Sequence, residues 1–219
     1  MTAKNSQLDH TYLKYFLLLA ILNFLSISSA YAEAEYSQTS ASFSNKEQYP
    51  TGLEFNTDGD KMYITGTHGK NVTQYSLTTP FDVSTIAFEG ETAVAGFMVS
   101  DVAFNSDGTK MFLVGHSDSI AEYNLGTPFD VRTALVNDSH TIAGLSSTQP
   151  KSFTFNDDGS RMFIAEDETI SAYDLSISYD VSSAVSAETY ETTYGVITGL
   201  VFNSDAVSYT HLRAHETHN

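Results

Sequence analysis

One pattern governs what this chain can fold into. The run Phe55-Asn56-Thr57-Asp58-Gly59 returns as Phe104-Asn105-Ser106-Asp107-Gly108 and as Phe155-Asn156-Asp157-Asp158-Gly159, and it begins again at Phe202-Asn203-Ser204-Asp205. The four phenylalanines are 49, 51 and 47 residues apart. Self-similarity at a fixed period of that length means an array of stacked supersecondary units rather than one irregular core. Two further landmarks keep the same phase. Tyr75-Ser76-Leu77, Tyr123-Asn124-Leu125 and Tyr173-Asp174-Leu175 come first, followed at once by Pro80-Phe81-Asp82-Val83, Pro128-Phe129-Asp130-Val131 and the looser Ser178-Tyr179-Asp180-Val181.

The chemistry within each unit is that of strands. Asn-x-Asp-Gly is a hairpin turn: the short carboxylate bonds its own backbone and glycine supplies a positive φ. Aromatic and β-branched residues flank it on both sides. No stretch beyond the leader shows a capped helical pattern. Each unit therefore reads as four antiparallel strands, a to d. Strands a and b form the hairpin, c ends in Tyr-x-Leu, and the Pro-Phe-Asp-Val segment turns the chain into a weaker strand d, such as 91–94 in the first unit. Pro80 and Pro128, which lack a backbone donor, suit that connection and not a central strand.

Four short strands per unit at even spacing is the pattern of a β-propeller. The repeats resemble those of bacterial secreted propellers with WD40-like or YVTN-like repeats. Trp is absent, and Tyr75-Ser76, Tyr123-Asn124 and Tyr173-Asp174 stand where a WD40-type unit places its Trp-Asp. The resemblance implies an all-β fold: an incomplete propeller of three four-stranded blades of about 50 residues plus the start of a fourth. Blade 1 is expected over 46–98, blade 2 over 99–148, blade 3 over 149–198, and the start of blade 4 over 199–205. An open β-solenoid is the rival architecture, although solenoid coils are usually shorter.

The ends of the chain read differently. Lys4 and Lys14 precede an apolar run at 15–25, and Ala30-Tyr31-Ala32 follows. That order is a secretory signal peptide over 1–32, and the run is too short to cross ~30 Å of hydrocarbon. The expected location is therefore periplasmic or extracellular, with no membrane span after cleavage. Residues 33–45 are a candidate ring-closing strand. At the other end, Ala206 stands where the repeat calls for glycine, and 207–217 resembles translated sequencing-adapter read-through. Residues 206–219 are accordingly expected to be non-native, which sets aside the helix-like spacing of His211 and His215. Resequencing the coding region across that junction checks this; an uninterrupted native reading frame through position 217 overturns it.

Composition removes some functions. The 219 residues carry 27 acidic and 10 basic side chains, a formal net charge of −17. Nucleic acid and anionic membrane surfaces, both of which need clustered Lys and Arg, are not expected partners. With no cysteine, the chain has neither disulfides nor a thiol nucleophile.

Variable loops are the expected site. The b–c loops differ among the units: Gly66-Thr67-His68-Gly69-Lys70-Asn71, Gly115-His116-Ser117-Asp118-Ser119 and Ala165-Glu166-Asp167-Glu168. His68, Lys70, His116, Asp118, Glu166 and Asp167 are the candidate ligand-binding residues, because imidazoles near carboxylates can meet a metal or a substrate carbonyl. The turn residues Asp58, Asp107 and Asp158 are weak calcium candidates, because the closing Glu of an EF-hand loop is missing. Gly59, Gly108 and Gly159 are structural turn positions. No catalytic residue and no cofactor other than calcium is expected. The reading is an exported propeller scaffold that binds a protein, a polysaccharide or a small ligand. The alternatives are a propeller enzyme, lactonase-like or quinoprotein-like, and a surface or virion structural protein.

Overall fold

The computed structural model describes residues 46–94, 98–117, 119–141, 149–193 and 195–202. The expected leader, the strand at 33–45, Asp118 and the tail from 203 onward lie outside the described residues. The first sheet is β1 (Pro50–Phe55), β2 (Lys61–Gly66), β3 (Asn71–Leu77) and β4 (Ile86–Ala93). The second is β5 (Val99–Phe104), β6 (Lys110–Gly115), β7 (Ser119–Leu125) and β8 (Ala134–Thr141), and the third is β9 (Ser152–Phe155), β10 (Arg161–Glu166), β11 (Thr169–Leu175) and β12 (Ala184–Glu191). Each sheet is a four-stranded antiparallel meander in chain order. The fold is all-β, and its three sheets are blades of an incomplete propeller.

The Asn-x-Asp-Gly run closes the first hairpin of every blade. In blade 2 the Asn105 side chain accepts from Lys110 N at 2.8 Å while its carbonyl accepts from Gly108 N at 3.0 Å. Gly59, Gly108 and Gly159 hold φ of 70°, 69° and 68°, the left-handed region in which a side chain is strained. A second constraint is packing. A Cβ on any of the three would lie 2.3 Å from the ring of Phe81, Phe129 or Tyr179, respectively. The aromatic residue of the Pro-Phe-Asp-Val segment thus lies flat on the turn glycine. It too holds a positive φ, 59°, 57° and 55° in the three blades, and its N–H donates to the glycine carbonyl at 2.9–3.0 Å.

The aspartate of that segment then stops the extended chain. Asp82, Asp130 and Asp180 cap one-turn 3₁₀ helices, each accepting from the N–H two residues on. The fourth strand begins directly after the 3₁₀ turn, at Ile86 in blade 1. That is five residues earlier than the expected 91–94, because the capped turn reverses the chain within one segment. The last described residues, 199–202, form no strand, although the Phe202 ring meets Phe163 with centroids 4.7 Å apart.

Among the described residues, two of the three apolar clusters lie between blades, and the third, around Met62, Ile64, Tyr75 and Leu77, lies within blade 1. Tyr63 and Val72 of blade 1 join Val102, Met111, Leu113, Tyr123 and Val131 of blade 2 in one cluster. Phe112, Val114 and Ile120 of blade 2 join Phe153, Phe155, Met162, Ile164 and Tyr173 of blade 3 in the next. Each such side chain contributes about 1.5–3 kcal/mol on burial, so a blade's stability is shared with its neighbour. Polar contacts repeat across the same seams. Tyr63 Oη donates to the Phe129 carbonyl at 2.6 Å, and Lys110 Nζ donates to the Tyr179 carbonyl at 3.1 Å. Lys110 also pairs with the buried Glu122 at 2.8 Å.

Gly108→Ala must strain the backbone and displace the Phe129 ring. It is expected to cost roughly 1–3 kcal/mol, read as a lowered urea midpoint. Gly126→Ala, where a Cβ meets its nearest atom at an ordinary 3.5 Å, is expected to shift the midpoint little.

Candidate functional site

The loop between β2 and β3 is built around a buried acid that the repeat pattern does not contain. Glu47, at 1% exposure, accepts from Tyr49 N at 2.7 Å, from Gly69 N at 2.7 Å and from His68 N at 3.3 Å. Three main-chain donors on one carboxylate hold the loop in one shape. A Cβ on Gly66 would sit 2.2 Å from the Glu47 carboxyl carbon, so this glycine gives the acid its place. Lys70 closes the loop with φ of 49° and its side chain exposed. The frame presents Tyr49, 60% exposed, edge-on to His68 with ring centroids 6.2 Å apart.

The other candidates divide. His116 is half-buried at the end of β6, its N–H bonded to the Met98 carbonyl at 2.9 Å. Asp118 lies outside the described residues. Glu166, expected on an open loop, is the last residue of β10 and is 0% exposed, because blade 3 joins β10 to β11 by a turn of only two residues, Asp167 and Glu168. Asp167 is exposed at φ of 42°, lies 3.9 Å from Lys151 Nζ, and its carbonyl accepts from Ile197 N. The structure therefore brings His68 together with Glu47 and Tyr49, which sequence reasoning missed.

Two of the three turn carboxylates are engaged locally, and the third, Asp58, is exposed. Asp107 accepts from both the N–H and the hydroxyl of Thr109 at 3.0 and 2.6 Å, and Asp158 accepts from Ser160 N at 2.9 Å. The hydroxyl partner in each case holds the acid below its ordinary value. Among the described residues, no three His, Asp or Glu side chains gather as metal ligands.

A second polar cluster lies on the first strands of the blades. Asp101 on β5 accepts from Ser152 Oγ at 2.6 Å and from Phe153 N at 3.1 Å, both in blade 3. Ser152 Oγ in turn accepts from Leu200 N at 3.1 Å. The same position of blades 2 and 3 thus caps the backbone of the segment that follows in the next unit. In blade 1 that position is Gly52, where a Cβ would lie 2.9 Å from Asp101 Oδ1. Burial raises Asp101 above its ordinary value, against the pull of its Ser152 bond. Glu54, on β1, is pushed up to about 7, first by burial and then by the Asp101 charge.

No family model matches the chain, and no curated protein matches it. Solved structures do. One is a protein provisionally described as a 6-phosphogluconolactonase from Bacteroides uniformis, with a TM-score of 0.50 at 10% identity over 72% of this chain and 46% of that one. Another is a protein of unknown function from Desulfotomaculum acetoxidans, with a TM-score of 0.47 at 15% identity over 65% of this chain and 42% of that one. The chain spans less than half the length of either. At 10% identity the first likeness is one of fold, to a β-rich lactonase-like structure.

The Glu54 shift carries a sign. A carboxyl raised from 4.5 to about 7 favours the protonated folded state; that stabilisation is full below pH 4.5 and is lost as pH rises through 7. Glu54→Gln is expected to flatten the fall in urea midpoint between pH 5 and pH 8. A variant that keeps the parent's slope assigns the slope to another group.

Proposed function

We propose that this chain is part of an exported β-propeller that works as a binding scaffold and takes a polysaccharide on its b–c loops. The observation that supports this is the Glu47 frame, which holds an exposed Tyr49–His68 pair on a pre-shaped loop. An exposed aromatic ring can stack on the apolar face of a sugar, while His68 and Lys70 supply donors to its hydroxyls. A loop already fixed before binding saves the ordering cost that flexible loops incur. The fold, the acidic surface and the apolar leader at 15–25 agree with an exported binding module, and the fold likeness to a lactonase is not carried over as an activity.

Cosedimentation with insoluble chitin, cellulose and peptidoglycan tests this. The protein is expected to pellet with one of the three, and Tyr49→Ala to weaken binding roughly three- to tenfold. Glu47→Gln is expected to weaken it through the loop, with His68→Ala acting in the same direction. Failure to pellet with any polymer, or equal binding by parent and Tyr49→Ala, overturns the proposal.

A further inference from the structure

The three Asp-Gly turns supply an internal comparison. Their backbones agree: the glycine N–H donates to the asparagine carbonyl at 3.0 Å in every blade, and the ring of Phe81, Phe129 or Tyr179 covers the glycine. Asp58, Asp107 and Asp158 are all exposed to water. What differs is the residue two places on. It is Thr109 in blade 2 and Ser160 in blade 3, but Asp60 in blade 1.

That residue decides what holds the aspartate. Asp107 accepts from the N–H and the hydroxyl of Thr109, and Asp158 from those of Ser160. The asparagine amide of each turn anchors the same hydroxyl, at 3.1 Å in both. In blade 1 the Asn56 amide donates instead to the Asp60 carboxylate at 2.7 Å. Asp60 has no hydroxyl to offer, and its charge repels a second carboxylate. Among the described residues, the Asp58 carboxylate has no partner.

An aspartate followed by glycine is open to attack by the glycine nitrogen, because no Cβ crowds the approach. The Gly59 nitrogen bonds to Asp58 Cγ, the carboxylic acid's OH and the nitrogen's proton leave as water, and a five-membered imide closes. Water then adds to one of the two imide carbonyls. Opening at the former main-chain carbonyl leaves an isoaspartyl link through Cβ, and opening at the other restores aspartate. The sum is an isomerisation that neither gains nor loses atoms. Attack needs a carboxyl free to swing toward the nitrogen. A side chain tied to the residue two places on must first break that tie, which slows the step roughly three- to tenfold per bond. The ties to Thr109 and Ser160 also hold their acids below the ordinary value, hence ionised and poor electrophiles. The turn bond and the covering ring bear on all three glycines alike, so the carboxylate alone distinguishes the sites.

We propose that Asp58 is a site of isoaspartate formation, which the hydroxyl of the other two turns suppresses at Asp107 and Asp158. The product adds one backbone atom to the turn that seats Gly59 beneath Phe81, so modification unlatches the first hairpin alone.

Prolonged incubation of the whole chain at neutral pH, followed by peptide mapping with electron-transfer fragmentation, tests this. Isoaspartate is expected to form at Asp58 at least about threefold faster than at Asp107 or Asp158. Asp60→Thr and Thr109→Asp exchange the residues that blades 1 and 2 carry. The carbonyl at that position accepts from Leu77 N or Leu125 N at 2.7 Å in both turns, so both variants suit the fold. Asp60→Thr is expected to slow Asp58 to the parent rate of Asp107, and Thr109→Asp to raise Asp107 to the parent rate of Asp58. In the urea-unfolded chain the three sites are expected to react at one rate, since the ties are gone. Equal rates in the folded parent, no isoaspartate at Asp58, or rates unmoved by the exchange overturn the proposal. So does a preference for Asp58 that persists in urea, which assigns it to local sequence and not to the turn.

Discussion

The structure depends on an aromatic ring resting on a glycine. Phe81, Phe129 and Tyr179 each hold a left-handed backbone, which costs on the order of 1–3 kcal/mol for a bulky residue. The ring's contacts offset that cost. It covers the turn glycine on one side and meets Phe55, Phe104 or Phe155 on the other, with centroids 5.5, 5.6 and 5.2 Å apart. The strained conformation also places the residue's carbonyl where the preceding blade can reach it. Tyr63 and Lys61 donate to that of Phe129, and Lys110 to that of Tyr179. One local contortion thus closes a turn, starts the capped 3₁₀ helix and provides the polar lock of the seam.

Most of this architecture is legible in the sequence, because its causes are local and recur. Asn105, Asp107 and Gly108 belong to one turn, and Phe129-Asp130 to one reversal, so each leaves a short pattern that returns in the next unit. What cannot be read is whatever takes its meaning from another blade. The boundary of β4 came earlier than expected, because the capping role of Asp82 shows only once the 3₁₀ turn is seen. Glu166 looked like a loop residue because the blade-3 turn is shorter than its counterparts. Glu47 lies outside the recurring motifs, so nothing in the pattern marks it as the frame of the His68 loop.

The departures from the repeat are as informative as the repeat. Positions 52, 101, 152 and 199 are glycine, aspartate, serine and glycine. Where the residue has a side-chain oxygen, it caps a backbone N–H of the next unit. Where it is Gly52, it makes room for the neighbour's carboxylate. Likewise the Gln74, Glu122 and Ala172 series changes the polarity of each seam. Gln74 Oε1 accepts from Val131 N at 2.8 Å, whereas Glu122 draws in Lys110. Net charge is strongly negative, yet the basic residues at the starts of β2 and β6, Lys61 and Lys110, reach carbonyls of the next blade.

The seam contacts made by Tyr63, Lys110, Asp101 and Ser152 share a property with evolutionary weight. Each has a main-chain partner: the carbonyls of Phe129 and Tyr179 and the N–H groups of Phe153 and Leu200, Asp101 accepting from the Ser152 hydroxyl as well. A side chain that addresses backbone does not ask what side chain its neighbour carries. Units joined in this way can be duplicated, exchanged or lost by recombination without a matching change next door, and each copy is then free to diverge on its loops. A gene built of such modules can change its length far faster than it changes its fold.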